Sequence, residues 1–329
     1  MTQLHPLNAI LELLKGNVAA PKLAEAEIFT RALLARTPAE ELAEKPTTSW
    51  AGMAISLLKY WRERKSAEIK VRVYNPNLDE HGWESTRTVV EVVNDDMPFL
   101  VDSTSIAVQN CGLISHLIVH PVLSAQRDAG GHLLSFGAAG TGLGKNESIM
   151  HFQLERVTEA DALETLRIAV VQCLNDVRAC VIDFKAMRDK ALAIAAELPQ
   201  RHSPHAAAVV AEAAEFLSWL AADHFTMLGY REYAAANEGG FEVLKAVPGS
   251  GLGMLRADES KLSVRPTASL AARDLPKGDT AELVVLSKTN ARSTVHHPGY
   301  MDYIGVLTFD ASGQAVSEQR FLGMYTSSA

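Results

Sequence analysis

At 329 residues the chain is long enough for about two domains. Its 31 Lys and Arg against 39 Asp and Glu leave a formal charge of −8, which argues against the basic footprint of a nucleic-acid binder; 47% apolar and 21% charged residues argue against a disordered chain. No apolar run nears the roughly 18 residues of a membrane span, no secretory leader pattern opens the chain, and three scattered cysteines (Cys111, Cys173, Cys180) make no disulfide framework, so a soluble, cytoplasmic protein without membrane contacts is expected.

The first 66 residues read as a helical segment. Leu23, Ile28, Phe29, Leu33 and Leu34 recur at helical spacing, and Thr37-Pro-Ala-Glu40 has the form of a capping box with Pro38 at the first helical position. Ser49 precedes a stripe of Trp50, Met53, Ala54, Leu57, Leu58 and Trp61, one face of which must be buried. Arg62, Arg64 and Lys65 suit the C-terminal turn of that helix.

From Ala67 the period changes to two. Ile69, Val71 and Val73 alternate with polar neighbours as a half-buried strand, and Thr88 to Val93 is more continuously apolar, as expected of a strand covered more fully. Asn94-Asp95-Asp96 closes that strand and opens a helix with Pro98 in its first turn, ending at Gly112. Leu113 to Ala125 reads as one long strand, turned at Ala129-Gly-Gly131, and a Gly-rich stretch, Gly137 to Gly144, leads to a strand at Ser148 to Leu154. Thr158-Glu-Ala-Asp161 caps a helix whose pattern either continues through Val181 and Phe184 or breaks near Asn175 into a closing strand. The order β-α-β-β-α, with or without that strand, predicts a ferredoxin-like antiparallel sheet backed by helices over residues 67–198, hence an α+β class. Pro199 to His205 reads as a linker. A second small α+β unit over 206–329 is expected from the helix Ala206–Asp223 and from strands at Phe225–Tyr233, Phe241–Ala246, Glu282–Leu286, Tyr303–Phe309 and Arg320–Met324, with a loop-rich middle. The chain then stops just after a strand with no capping element, as a truncated piece of a longer polypeptide does.

The chemistry-bearing residues are sparse. Gly140-Thr-Gly-Leu-Gly-Lys145-Asn146 mimics a phosphate loop, but Ala139 stands where its first glycine belongs, Asn146 replaces the Mg²⁺-binding Ser or Thr, and a strand follows where a helix must. Gly249-Ser-Gly-Leu-Gly253 has Met254 in place of the third dinucleotide glycine. His116 and His120 sit about 13 Å apart along a strand, too far to share a metal, and His296-His297 lacks a carboxylate cluster. Cys173 and Cys180 fit a helix core. No catalytic set, cofactor loop or metal site is therefore expected in this chain. One constellation stands out, Asn94-Asp95-Asp96-Met97-Pro98-Phe99, either a helix cap or a small-molecule site between a strand end and a helix start.

Asp96-Met-Pro-Phe-Leu-Val with Asn110-Cys-Gly-Leu-Ile-Ser-His-Leu resembles the opening of an ACT domain. Four longer segments resemble the N-terminal region of the large bacterial NAD-specific glutamate dehydrogenases: Val71-Arg-Val-Tyr-Asn-Pro with Glu80-His-Gly-Trp-Glu-Ser; Val93-Asn-Asp-Asp-Met-Pro-Phe-Leu-Val-Asp-Ser; Ala222-Asp-His-Phe-Thr-Met-Leu-Gly-Tyr-Arg-Glu-Tyr; and Asn290-Ala-Arg-Ser-Thr-Val-His-His-Pro with Phe321-Leu-Gly-Met-Tyr-Thr-Ser. The resemblance implies an ACT-like domain followed by a PAS-like one. It implies a non-catalytic regulatory or oligomerisation region of an enzyme converting glutamate, NAD⁺ and water to 2-oxoglutarate, ammonium and NADH, with NAD bound only by the parent's downstream catalytic region. The implied partners are that region and further copies of the chain. The alternative is an amino-acid sensor binding its effector at Asn94–Phe99, although ACT domains that bind amino acids typically have Gly after the loop Pro, where this chain has Phe99, a side chain that would fill the usual pocket.

Overall fold

The computed structural model describes residues 6–238, 241–256 and 282–326, and the chain divides into two compact units, residues 1–174 and 175–329. The first begins with four helices, α1 (Pro6–Asn17), α2 (Ala20–Leu34), α3 (Ala39–Glu44) and α4 (Thr47–Trp61). The expected capping box does not form. Pro38 is itself the residue before α3, with no side-chain cap, because its fixed φ suits the extended entry to the helix.

These helices lie on a six-stranded, wholly antiparallel sheet: β1 (Lys70–Tyr74), β2 (Thr88–Asp95), β3 (Ser115–Val119), β4 (Val122–Arg127), β5 (Leu133–Ala138) and β6 (Lys145–Leu154). Its order is β1-β2-β6-β4-β5, and β3 also pairs with β6. The long strand expected at 113–125 is broken at Pro121, which has no N–H to offer β6. The two pieces nevertheless pair along one side of β6, Val119 opposite His151 and Val122 opposite Ser148. The Gly-rich stretch is shorter than expected, since β5 takes Gly137 and β6 begins at Lys145.

Every residue of β2 from Thr88 to Asn94 is buried, which requires cover on both faces. On one face Val89, Val93, Leu123 and Ile149 join the helix residues Phe29, Trp50, Leu57 and Trp61 in a single core. Helix α6 (Leu100–Asn110) and the start of α7 (Ala160–Glu197) are tied together by Cys173 Sγ, which donates to Ser103 O at 3.0 Å. Helix α7 runs unbroken through Asn175, so no closing strand forms; β1, arriving from before the motif, occupies the free edge of β2.

The second unit holds the later part of α7, the helix α8 (Ala207–Trp219) and a second antiparallel sheet. Its strands are β7 (Phe225–Glu238), β8 (Phe241–Ala246), β9 (Leu252–Gly253), β10 (Val284–Arg292), β11 (Tyr300–Phe309) and β12 (Ala315–Tyr325), ordered β10-β11-β12-β7-β8 with β9 on β7. The α5 turn (Leu78–His81) belongs to the first unit. Tyr230, Ile304, Val306 and Phe321 form the second core with Leu217 of α8 and Met187 of α7. The helix expected to reach Asp223 gives way after Trp219 to a π-type turn, with Asp223 at a left-handed φ of 66°. The loop-rich middle falls mainly at 257–281 and the chain end at 327–329, both outside the described residues. Both sheets are antiparallel with helices alongside, the α+β architecture the residue pattern predicts.

Candidate functional site

The segment Asn94–Phe99 joins the buried centre of the first sheet to α6. Asn94 is fully buried opposite Ser148, and Asp95 ends β2 opposite Glu147. Asp96 is exposed and donates its backbone N–H to Asn146 O at 3.0 Å. Met97 is half-buried, Pro98 exposed, and half-buried Phe99 precedes α6 at a left-handed φ of 71°. Neither half of the capping expectation holds. Helix α6 has no side-chain cap, and Pro98 stands outside the first turn because Phe99 turns the backbone away before the helix begins at Leu100.

Asp95 has another task. Its Oδ1 accepts from Arg64 Nη2 at 2.8 Å, and Arg64 Nη1 donates to Glu147 Oε1 at 3.0 Å. Arg127 grips the same carboxylate from the other side, Nε to Oε1 at 2.8 Å and Nη2 to Oε2 at 2.9 Å, and Trp61 Nε1 adds a bond to Oε2 at 2.6 Å. Burial alone would raise the Glu147 carboxyl, but Arg127, Trp61 and Arg64 together hold it below its ordinary value. Arg64 is therefore not a solvated cation at the C-terminus of α4, as its position suggests. It is drawn under the sheet because its backbone N–H bonds Gly131 O at 3.0 Å.

A second charged group lies on the same face. Glu91 and His151 are cross-strand partners, both fully buried, with His151 Nδ1 2.9 Å from Glu91 Oε1. Arg72 Nε donates to Glu91 Oε2 at 2.6 Å. Burial opposes the Glu91 charge, yet His151 and Arg72 hold its carboxyl below the ordinary range. The residues that organise this face, Arg64, Arg127, Glu147, Glu91 and His151, escape a motif search. A partial signal is period-two spacing: His151 and Gln153 are polar positions on one face of β6 between apolar neighbours, and Glu147 shares that face.

A cavity of about 630 Å³ lies near the loop, lined by Arg36, Thr37, Val101, His120 and Pro121 among others, but by none of Asn94–Phe99. His120 Nε2 is 2.6 Å from Ser148 Oγ, and burial pushes its pKa down against the pull of Asp96. The polar side chains lining the space include the Arg36 guanidinium, the Thr37 hydroxyl and the His120 imidazole.

Each of the two glycine loops contains a glycine with a structural task. A Cβ on Gly144 would stand 2.0 Å from Ala125 O, so glycine there lets β6 pass β4. Gly253 N donates to Asp183 Oδ2 at 2.8 Å within the second unit. His116 is exposed, and the rings of His296 and His297 lie 4.5 Å apart. Among the described residues no group of three or more His, Cys, Asp or Glu could hold a metal, and no helix is long and apolar enough to cross a membrane.

Residues 29–170 match the family described as glutamate dehydrogenase, ACT1 domain. The chain is 33% identical, over 98% of its length, to the NAD-specific glutamate dehydrogenase of Halomonas elongata, and 32% identical over the same share to that of Pseudomonas aeruginosa. A similar protein of that name from Mycobacterium tuberculosis is 25% identical over 82% of the chain. The chain spans about 20% of the length of the first two.

Proposed function

Since this chain resembles the N-terminal region of the large bacterial NAD-specific glutamate dehydrogenases and carries their ACT1 match over residues 29–170, we propose that it is a non-catalytic regulatory and oligomerisation region of such an enzyme. In that role it would leave hydride transfer, and the binding of NAD and glutamate, to a downstream part of the same cytoplasmic polypeptide. We further propose an ACT-like domain over 67–198 and a PAS-like one over 206–329, joined through 199–205. The observation that carries the reading is that similarity to these enzymes runs along 98% of the chain but covers only about 20% of theirs.

The test compares this chain with the full-length enzyme. NADH formation from glutamate is expected of the full-length enzyme and not of the chain, and light scattering is expected to show a defined oligomer of the chain. Steady NADH formation by the chain, or a strictly monomeric chain together with unchanged assembly and effector response in an enzyme lacking it, would overturn the proposal.

The amino-acid-sensing reading is supported by the cavity beside Val101 and His120 rather than by the Asp95 carboxylate, which Arg64 already takes. Calorimetry with a panel of amino acids tests it: absence of binding heat at millimolar ligand leaves assembly as the role.

A further inference from the structure

A second cavity, about 700 Å³, opens elsewhere in the first unit, between the start of α4, the loop leading into β2 and the end of β6. Its charged lining is lopsided. Lys45, Arg87 and Arg156 face it against Glu84 alone. Lys45 lies 3.6 Å from Glu41, donates to Gln153 Oε1 at 2.7 Å and stands 5.0 Å from the Trp50 ring. Arg156 Nη1 donates to Ser85 O at 2.9 Å, which orients its guanidinium without neutralising it. Among the described residues neither Arg87 nor Arg156 has a carboxylate within 4.0 Å. Such cations ordinarily stay apart unless an anion joins them.

Two further features point the same way. Pro46 and Ser49 bring the start of α4 to the cavity, and this 15-residue helix has neither a side-chain cap nor an acidic residue in its first turn, so its positive end is uncompensated. Trp83, only 3% exposed, lines the cavity, and its buried indole N–H has no hydrogen-bond acceptor among the described residues. The walls are fixed by packing: a Cβ on Gly52 of α4 would come 2.5 Å from Trp83 Cβ, so helix and loop are in the closest contact that glycine allows.

We propose that this cavity binds a small organic or phosphate-bearing ligand with at least two negative charges, held by Arg87, Arg156 and Lys45 and by the N-terminus of α4. Burial works against the Lys45 ammonium, Glu41 offsets it in part and Arg87 adds to it; a bound anion supplies further opposite charge. The site is separate from the loop Asn94–Phe99 and does not depend on the function proposed for the parent enzyme.

The purified chain is titrated with glutarate, citrate and pyrophosphate at fixed ionic strength, by calorimetry and by tryptophan fluorescence. Saturable binding of at least one probe is expected. In the double variant R87Q/R156Q the Kd rises about tenfold or more, equivalent to about 1.4 kcal/mol, while thermal melting stays unchanged because both side chains reach solvent. K185Q, at an exposed lysine of the second unit, leaves the Kd unchanged. Carboxylate probes binding without pyrophosphate, or the reverse, assigns the ligand's anionic group. No saturable binding of any probe at millimolar concentration, or equal binding by the folded R87Q/R156Q variant, overturns the proposal.

Discussion

Arg64 and Glu147 meet at 3.0 Å beneath the first sheet, each side chain 3% exposed, and from this pair the order of the whole face follows. Arg64 reaches on to Asp95, Arg127 closes the other side of Glu147, and Trp61 of α4 donates into the same carboxylate. Buried Arg64 and partly buried Arg127 both depend on the Glu147 carboxylate for charge balance. Replacing Glu147 by Gln removes the counter-charge while keeping the size, so E147Q is expected to destabilise the fold by about 3–5 kcal/mol, the usual cost of stranding a buried charge. Urea unfolding at neutral pH measures this; a loss under about 1 kcal/mol would mean that the arginines find other partners or water.

The two charged groups on this face set an acid limit. Glu147 and Glu91 are both held below their ordinary value of 4.5, so the folded state binds protons less readily than the unfolded one. Their contribution is complete above the unfolded value, and it is lost as pH falls through the lower folded values. The wild-type urea midpoint should therefore be level from neutrality to about pH 5 and fall steeply below it. E147Q should start lower and fall less steeply. Parallel pH curves for the two proteins would exclude Glu147 as a source of the acid sensitivity.

Gly52 offers a test in which two effects oppose. Glycine inside a helix costs about 1 kcal/mol relative to alanine, so G52A would stabilise α4 if nothing touched it. Here the new Cβ would stand 2.5 Å from Trp83 Cβ and 3.3 Å from Gly82 O, and neither is the free end of a flexible side chain. Overpacking of this kind typically costs about 1–3 kcal/mol, which outweighs the propensity gain. A net loss of stability is expected, with a changed tryptophan emission as Trp83 shifts; a stabilised G52A with unchanged emission would show that the loop yields freely.

Much of this architecture was legible in the residues, and the exceptions have definite causes. Alternation at Ile69–Val73 and the mostly apolar stretch Thr88–Val93 mark a half-buried strand and a more fully covered one, and β1 is intermediate throughout while β2 is buried from Thr88 to Asn94. β5 escaped because Leu133–Ala138 lies between glycine turns and is an edge strand without strong alternation. The continuation of α7 through Asn175 was undecidable from periodicity, since short apolar runs suit helix and strand alike. The position of the loop between β2 and α6 was legible, but the task of Asp95 was not. A carboxylate beside a helix start looks like a cap, and only the path of the chain after α4 brings Arg64 to it.

The three cysteines differ in what solvent can do to them. Cys173 and Cys180 are buried, each donating to a backbone carbonyl, Ser103 O at 3.0 Å and Leu228 O at 3.1 Å. Burial, with Asp176 adding to it, pushes the Cys180 thiol up to about 12, so almost no thiolate exists there at pH 8. Cys111 is half-buried, and its milder rise comes from burial alone. An aromatic disulfide reagent at pH 8 should react slowly with Cys111 and leave Cys173 and Cys180 untouched until denaturant is added. Rapid native reaction of Cys180, identified by peptide mapping, would mean that α7 opens around it on the timescale of labelling.

Phe99 presents the backbone with a left-handed φ of 71°, a conformation that costs a residue with a Cβ about 1–2 kcal/mol and glycine almost nothing. Truncating Phe99 to Ala or to Gly removes the same half-buried ring, so the packing loss cancels when the two variants are compared. What remains is the strain. At an ordinary position Ala would be the more stable by about 1 kcal/mol; here F99G should exceed F99A by about that amount in urea unfolding. The reverse order would mean that α6 starts one residue earlier in solution, with Phe99 inside the helix. The expected order would instead make Phe99 a strained junction between β2 and α6, held at the cost of backbone energy by the packing of its ring.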